Sequence, residues 1–294
     1  MTPRSLLPLL LLLPALAAAQ TAVAPQTQSP AFEWQADISY SGASDIAEGS
    51  RALGEIKHSA FQLESTRAFE LGQDSAFLAG VTWRRFDFSG SIADVPDTLQ
   101  AIALQLGYKR KLSPRWSLSA EIQPGLYSDF EDISGDDFNA PFGVRAIYAR
   151  SREFQWLFGL NVDFRSHNPV MGGFGFRWQF AKDWTLLFLV PQPRIEYAVS
   201  PELTLFAGAS LRGGTFRVAE DFGRRRGRAT LDNQDVDFRE ISVGAGLRWQ
   251  LQPGLTLSTS VGWMLDRRFE YEKRDLLING KGAPTALLSI SGSF

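Results

Sequence analysis

Eleven charged residues recur in the polar phase of an alternating pattern: Lys109, Glu121, Arg145, Asp163, Arg165, Arg177, Arg194, Glu196, Arg212, Arg248 and Asp266. Their phase is otherwise filled by Gly, Ser, Thr and Gln, and the opposite phase by Phe, Trp, Leu, Ile and Val. Charges of both signs on one side of a sheet can do one of two things. Facing water in an enclosed interior they filter solutes by charge; paired with one another they fill that interior. The sequence leaves both readings open.

Covalent and metal chemistry find little support. The chain has no Cys, which removes thiolate catalysis, disulfides and Cys metal sites. It has only two histidines: His58 beside Ser59 at the start of a predicted strand, and His167 between Ser166 and Asn168 in a predicted loop. A nucleophile needs a base within hydrogen-bond reach and a third group to orient it, and sequence neighbours do not supply that geometry. Both histidines are therefore expected as solvated side chains. No H-E-x-x-H, Walker or dinucleotide motif is present, so neither an enzyme nor a cofactor is expected.

Two loops concentrate charge. Asp129, Glu131, Asp132, Asp136 and Asp137 could gather Ca²⁺ but lack EF-hand ligand spacing, and are expected as a solvated loop. Arg224, Arg225, Arg226 and Arg228 lie in the longest predicted loop, where they either grip lipid phosphates, fold inward to constrict an opening, or are balanced by Asp232, Asp235 and Asp237. Overall, 30 basic against 32 acidic residues gives no basic footprint, and nucleic acid is excluded as a partner.

The elements that must position these charges are strands. Phe32, Trp34, Ala36, Ile38 and Tyr40 alternate with Glu33, Gln35, Asp37 and Ser39; Phe174, Phe176, Trp178 and Phe180 alternate with Gly173, Gly175, Arg177 and Gln179. Such segments run about ten residues, the length a tilted strand needs to cross an outer membrane. Short turns such as Leu112-Ser113-Pro114-Arg115-Trp116 and Leu251-Gln252-Pro253-Gly254-Leu255 alternate with longer polar stretches at 42–55, 89–97, 128–139, 219–235 and 272–283. Fourteen strands are predicted, starting near 32, 57, 75, 98, 116, 140, 154, 171, 184, 194, 203, 236, 255 and 284. The two-proline corner Pro191-Gln192-Pro193 makes the pair at 184–199 the weak link, and twelve strands the alternative. Fourteen strands about 4.8 Å apart and tilted about 40° enclose a backbone diameter near ~28 Å, with ~15 Å free between side chains.

At the N-terminus, Arg4, an apolar run from Leu6 to Leu16 and Ala17-Ala18-Ala19 read as a signal peptide (1–19) cleaved after Ala19, followed by a flexible lead (20–30) and one β-barrel domain (31–294). The opposite end, Leu288, Ile290 and Phe294 at alternate positions with Gly292 between, resembles the C-terminal signal of Gram-negative outer-membrane barrel proteins. The segment Leu187-Phe188-Leu189-Val190-Pro191-Gln192-Pro193-Arg194-Ile195-Glu196-Tyr197 resembles one in a bacterial family of outer-membrane barrel domains without an assigned function.

These resemblances imply an all-β, single transmembrane antiparallel up-and-down barrel in the cell outer membrane, with short periplasmic turns and longer extracellular loops. They imply outer-membrane lipid, lipopolysaccharide and the barrel-assembly machinery as partners. The expected role is a passive or weakly selective channel for small solutes. The alternative is a structural or surface-interaction barrel with a plugged lumen, acting through 128–139 and 219–235.

Overall fold

A computed structural model describes residues 32–294 apart from Ser91 and Ala93. The predicted signal peptide (1–19) and lead (20–30) lie outside the described residues. The chain forms fourteen strands: β1 (Phe32–Glu48), β2 (Arg51–Glu70), β3 (Ser75–Ser89), β4 (Thr98–Lys111), β5 (Trp116–Ile122 and Gly125–Ser128), β6 (Phe138–Asn139 and Phe142–Ala149), β7 (Phe154–Val162), β8 (Val170–Ala181), β9 (Trp184–Phe188), β10 (Arg194–Ala198), β11 (Leu203–Arg217), β12 (Asp235–Gln252), β13 (Leu255–Tyr271) and β14 (Leu276–Lys281 and Ala283–Ser293). Each pairs antiparallel with its neighbour in sequence, and β14 returns to β1 from Thr285↔Ser41 to Ser293↔Glu33. The terminal residue takes part in the closure: the Phe294 amide donates to Phe32 O (2.9 Å) and the Phe32 amide to Phe294 O (3.1 Å). A ring closed in this way leaves no sheet edge.

The corner at 184–199 is a complete hairpin, with Trp184↔Tyr197 and Leu187↔Arg194 in register. The count is therefore fourteen and not twelve. Two predicted loops are instead largely strand. Residues 42–55 carry β1 and β2 onward to a turn at Gly49-Ser50, and β14 starts at Leu276 rather than near 284. Both were masked in the sequence by a change of phase, at a bulge between Ser41 and Ser44 and at Gly282 (φ +76°).

The outward face is that of a membrane protein. Ile38, Val81, Ile102, Leu104, Phe158, Phe174, Val261 and Leu288 all point away from the barrel, Val261 and Phe174 at 69% and 71% exposure. A continuous apolar surface of this extent exceeds what a soluble domain leaves in water. Below it, beside the short turns, Trp116 stacks near Tyr148 (4.9 Å) and Trp184 near Tyr197 (4.8 Å), forming an interfacial aromatic belt. The chain is an outer-membrane β-barrel.

Toward the long-loop end the two faces exchange character. In β3 the outward residues change from Val81 and Trp83 to Arg85 and Asp87, and the inward ones become Phe86 and Phe88. In β12 the outward Ile241 and Val243 give way to Arg239, while Val236 and Phe238 are buried inside. A bulge in β13 beside Ser242 and Asp266 does the same, burying Arg267, Phe269 and Tyr271. Where lipid ends, the barrel continues as a water-soluble protein with a dry interior.

That upper part is also narrower than the membrane ring. β9 and β10 stop short at Phe188 and Arg194, and beyond Gly213 β11 leans across to β5, the Asp129 amide donating to Arg217 O (3.0 Å). Gly213 permits the bend: its φ is +144°, and a Cβ there would lie 1.9 Å from Phe238 O. The upper ends of β6, β7 and β8 are left outside the narrowed wall.

Candidate functional site

The lumen is divided. Its periplasmic part is a cavity of about 770 Å³ reaching from the short turns, at Lys182, Glu202 and Gly254, up to Arg84, Phe86 and Gln123. β1 and β2 supply Glu33, Asp37 and Glu64 to its wall. Halfway round the ring, β8 to β12 supply Arg177, Arg194, Glu196, Arg212 and Arg248. Between them, β13 and β14 contribute hydroxyls: Thr256, Ser258, Ser260, Thr285, Ser289, Ser291 and Ser293. Glu196 is ion-paired with Arg194 Nε on its own strand (2.6 Å) and accepts from Arg248 Nη2 of β12, two strands away (2.8 Å), so the three charges stand as one fixed group. Strand alternation aims these side chains inward, and the resulting cavity offers opposed charge and hydroxyls to a polar solute.

On the β4 to β7 side a hydrogen-bonded network occupies much of the interior. Glu121 accepts from Gln105 (3.1 Å) and Gln123 (2.7 Å), with Arg145 nearby, and Thr66 donates to Gln105 (2.8 Å). Lys109 lies within electrostatic reach of Glu33. Asp163 accepts from Asn139 (2.9 Å) at the upper end of β7.

Above the cavity sits an apolar plug. Phe86, Phe88, Phe216, Phe238, Phe269 and Tyr271 from the strands enclose Val218, Ala219, Phe222 and Leu231 of the 218–234 loop, with Ile92 and Val95 of the 89–97 loop. The long loop therefore folds inward. Its arginines fasten it to neighbouring loops. Arg228 binds Glu48 (2.9 Å) and Asp94 (2.5 Å), Arg226 binds Asp97 (2.8 Å) and Val95 O (2.7 Å), Arg225 pairs with Glu131 and Asp221, and Arg224 pairs with Asp232 (2.8 Å). The predicted balancing partners Asp235 and Asp237 serve elsewhere: Asp235 pairs with Arg165 (2.5 Å), and Asp237 accepts from Thr215 (2.5 Å), Ser166 (3.0 Å) and the His167 amide (2.9 Å). The Arg228 guanidinium holds the Glu48 carboxyl below its ordinary range, whereas burial raises that of Asp129.

The acidic loop is likewise drawn into the seal. Asp129 accepts the Ala219 amide (2.9 Å), and Asp137 with Ser134 forms a capping box on a single helical turn. Among the described residues no three His, Cys, Asp or Glu side chains are grouped to hold a metal ion.

A buried polar cluster lies between cavity and plug. Arg267, 0% exposed, donates to Glu240 through Nε (2.9 Å) and Nη2 (2.7 Å); Ser41 Oγ donates to the same carboxylate (2.9 Å), and His58 Nδ1 lies 3.3 Å from it. His58 is 1% exposed and stacks on Phe88 (5.1 Å). The expectation of a solvated His58 is corrected: β2 begins at Arg51, so His58 is mid-strand and inside the barrel. Ser41 donates to Glu240 and not to His58, so the pair lacks the hydrogen bond that joins a nucleophile to its base.

Of the predicted lumen charges, Arg177, Arg194, Glu196, Arg212 and Arg248 line the large cavity, and Lys109, Glu121, Arg145 and Asp163 lie on the β4 to β7 side, Glu121 and Asp163 beside a second, smaller cavity. Two lie elsewhere. Arg165 is in the loop after β7, bound to Asp235, Asp136 O and Phe138 O. Asp266, displaced in phase by the β13 bulge, faces outward against Arg268 (2.7 Å). Arg84, Glu64, Glu240 and Arg267 went unread, and Asp37 was read only as a polar-phase residue of the first strand. The signal that marks several of them is the exchange of apolar phase within β3, β12 and β13.

No curated protein matches this sequence. Similar solved structures include a deltaS2S3 mutant of the TodX monoaromatic hydrocarbon channel (8% identity, 91% of each chain covered, TM-score 0.49). They also include the COG4313 outer membrane channel from Pseudomonas putida F1 (10% identity, 91% of this chain and 97% of that one, TM-score 0.49) and the NanC porin (9% identity, 88% and 100%, TM-score 0.41). The profile of one family, described as a domain of unknown function (DUF6268), matches residues 81–278, most of the barrel, and the chain belongs to that family.

Proposed function

We propose that this barrel is a passive, weakly selective channel of low conductance for small hydrophilic solutes, with its wide vestibule on the periplasmic side. The observation that carries the reading is the cavity of about 770 Å³, continuous with the periplasmic rim and lined by opposed charges and hydroxyls. Arg177, Arg212 and Arg248 stand half-buried around this space, where a plugged interior would have to compensate the cost of desolvating them. In planar bilayers the purified protein is expected to conduct, and Arg177→Ala and Arg248→Ala to shift ion selectivity toward cations. Absence of conductance at any voltage would refute the channel, and unchanged selectivity in both variants would refute this lining.

The apolar plug favours a second reading, a closed barrel acting through its outer loops. The same bilayer experiment separates the two. Under either reading Leu288, Ile290 and Phe294 present the signal read by the barrel-assembly machinery. Lipopolysaccharide contact is proposed for the outward charges above the apolar band, Arg85, Arg239 and Arg268, which pair at most within the outer face, whereas Arg225, Arg226 and Arg228 tie the 218–234 loop to neighbouring loops.

A further inference from the structure

We infer that the route through this barrel avoids the sealed mouth and runs through a side passage between β11 and the upper ends of β6 to β8, with Arg84 as its constriction. The inference rests on the channel reading.

Three observations lead to it. First, the axial way out is blocked by packed rings. Phe222, Leu231 and Tyr271 are fully buried, Tyr271 is tied to Asp94 O (3.0 Å), and the loop above is pinned by its arginines. Opening that mouth means unpacking a core and breaking several ion pairs together. Second, the lean of β11 toward β5 leaves an alcove behind it. The 163–169 loop closes over this space through Ser166 and His167, which bind Asp237, and a second cavity of about 30 Å³ lies within, lined by residues such as Pro141, Asn161, Asp163, Met171 and Thr215. The paired glycines Gly159 and Gly173 keep the adjoining inner wall bare, since nothing lies within 4 Å of where a Cβ of either would stand. Third, the small cavity and the large one share two lining residues, Arg84 and Gln123.

Arg84 spans this junction. It leaves β3, brings Nη1 to 3.5 Å from Gly213 O on β11, and sets its guanidinium 5.9 Å from the Tyr127 ring of β5. It is 5% exposed, and its Nε has no hydrogen-bond partner among the described residues. A buried donor left unpaired is costly, and one facing a polar gap is a place for water or a passing polar group to bind. Gln123, held by Glu121 (2.7 Å), forms the opposite lip. A space of this size admits about one water. A solute crosses this junction only when the long Arg84 side chain swings aside, which requires no unpacking of the plug.

Single-channel recording of the full chain tests this route. Because the chain has no Cys, a Gln123→Cys variant places one thiol at the junction, where a methanethiosulfonate reagent can be attached and removed with reductant. Arg84→Ala is expected to raise conductance several-fold, and modification of the Q123C protein to block current reversibly. Conductance that rises when the latch is cut by Arg228→Ala, and that ignores both R84A and modification of Q123C, would overturn the side passage and leave the channel reading standing. Silence of wild type and R84A alike would overturn both.

Discussion

At the scale of single residues, the most deeply buried ion pair lies inside the upper barrel. Arg267 donates two hydrogen bonds to Glu240 out of contact with water, and Ser41, Ser44 and His58 complete their shell. Removing one charge of a buried pair leaves the other uncompensated, which costs about 3–5 kcal/mol. Glu240→Gln is accordingly expected to lower the urea midpoint of folding by an amount equivalent to ~3 kcal/mol, whereas exchange of an exposed pair such as Arg85 and Asp87 changes it by less than ~1 kcal/mol. The latch above behaves differently because Glu48 is only partly buried. Its carboxyl is held below the ordinary value of about 4.3 by Arg228. Such a group contributes stability that is complete above its unfolded value and lost as pH falls through the lower folded one. The 218–234 loop is therefore expected to resist cleavage by pepsin down to about pH 4 and to become susceptible below it. Glu48→Gln should make it susceptible already at the upper end of that range; equal protection in both proteins would refute the latch.

At the scale of elements, Gly213 is where a membrane strand becomes part of a soluble lid. A Cβ at 1.9 Å from Phe238 O cannot be accommodated by a side-chain movement, since the clash is with backbone. Gly213→Ala should destabilise the barrel by at least ~2 kcal/mol, and Gly159→Ala, which meets open space, by no more than ~0.5 kcal/mol, both read as shifts in thermal unfolding in detergent. Which elements the sequence discloses follows from the same physics. Between the aromatic belts, lipid demands an apolar residue at every outward position, so the strands from Phe32, Phe154, Val170 and Leu255 show a clean period of two. Above the belts the demand reverses, and Arg85-Phe86-Asp87-Phe88 keeps the period while inverting its meaning. A reader following one apolar phase loses the strand there, which is why 42–55 and 272–283 read as loops and Asp266 as a lumen charge. The periplasmic wall at Arg177, Arg194, Glu196, Arg212 and Arg248 was legible because those charges stand in the uninterrupted phase. Arg84 and Gln123 were not, because their role arises from the lean of β11 toward β5, a contact between strands distant in sequence.

At the scale of the whole molecule, the final residues complete the ring and, on the proposed reading, mark it for assembly. Phe294 shares two backbone hydrogen bonds with Phe32 and turns its ring outward. Deletion of Phe294 is expected to reduce the heat-modifiable, membrane-inserted fraction more than any single lumen substitution, and normal insertion of the truncated chain would show the terminus to be dispensable. The central claim is one of sidedness: a barrel across the outer membrane, sealed outside by its own loops and open as a charged vestibule to the periplasm. The most direct test uses the absence of cysteine. Ser289→Cys places a thiol in the vestibule, and Ile133→Cys, exposed in the acidic loop, places one outside. With a bulky, membrane-impermeant maleimide added to intact cells, the account predicts rapid labelling of the I133C protein and none of S289C until the outer membrane is permeabilised. Equal labelling of S289C in intact cells, or labelling of I133C only after permeabilisation, would contradict it.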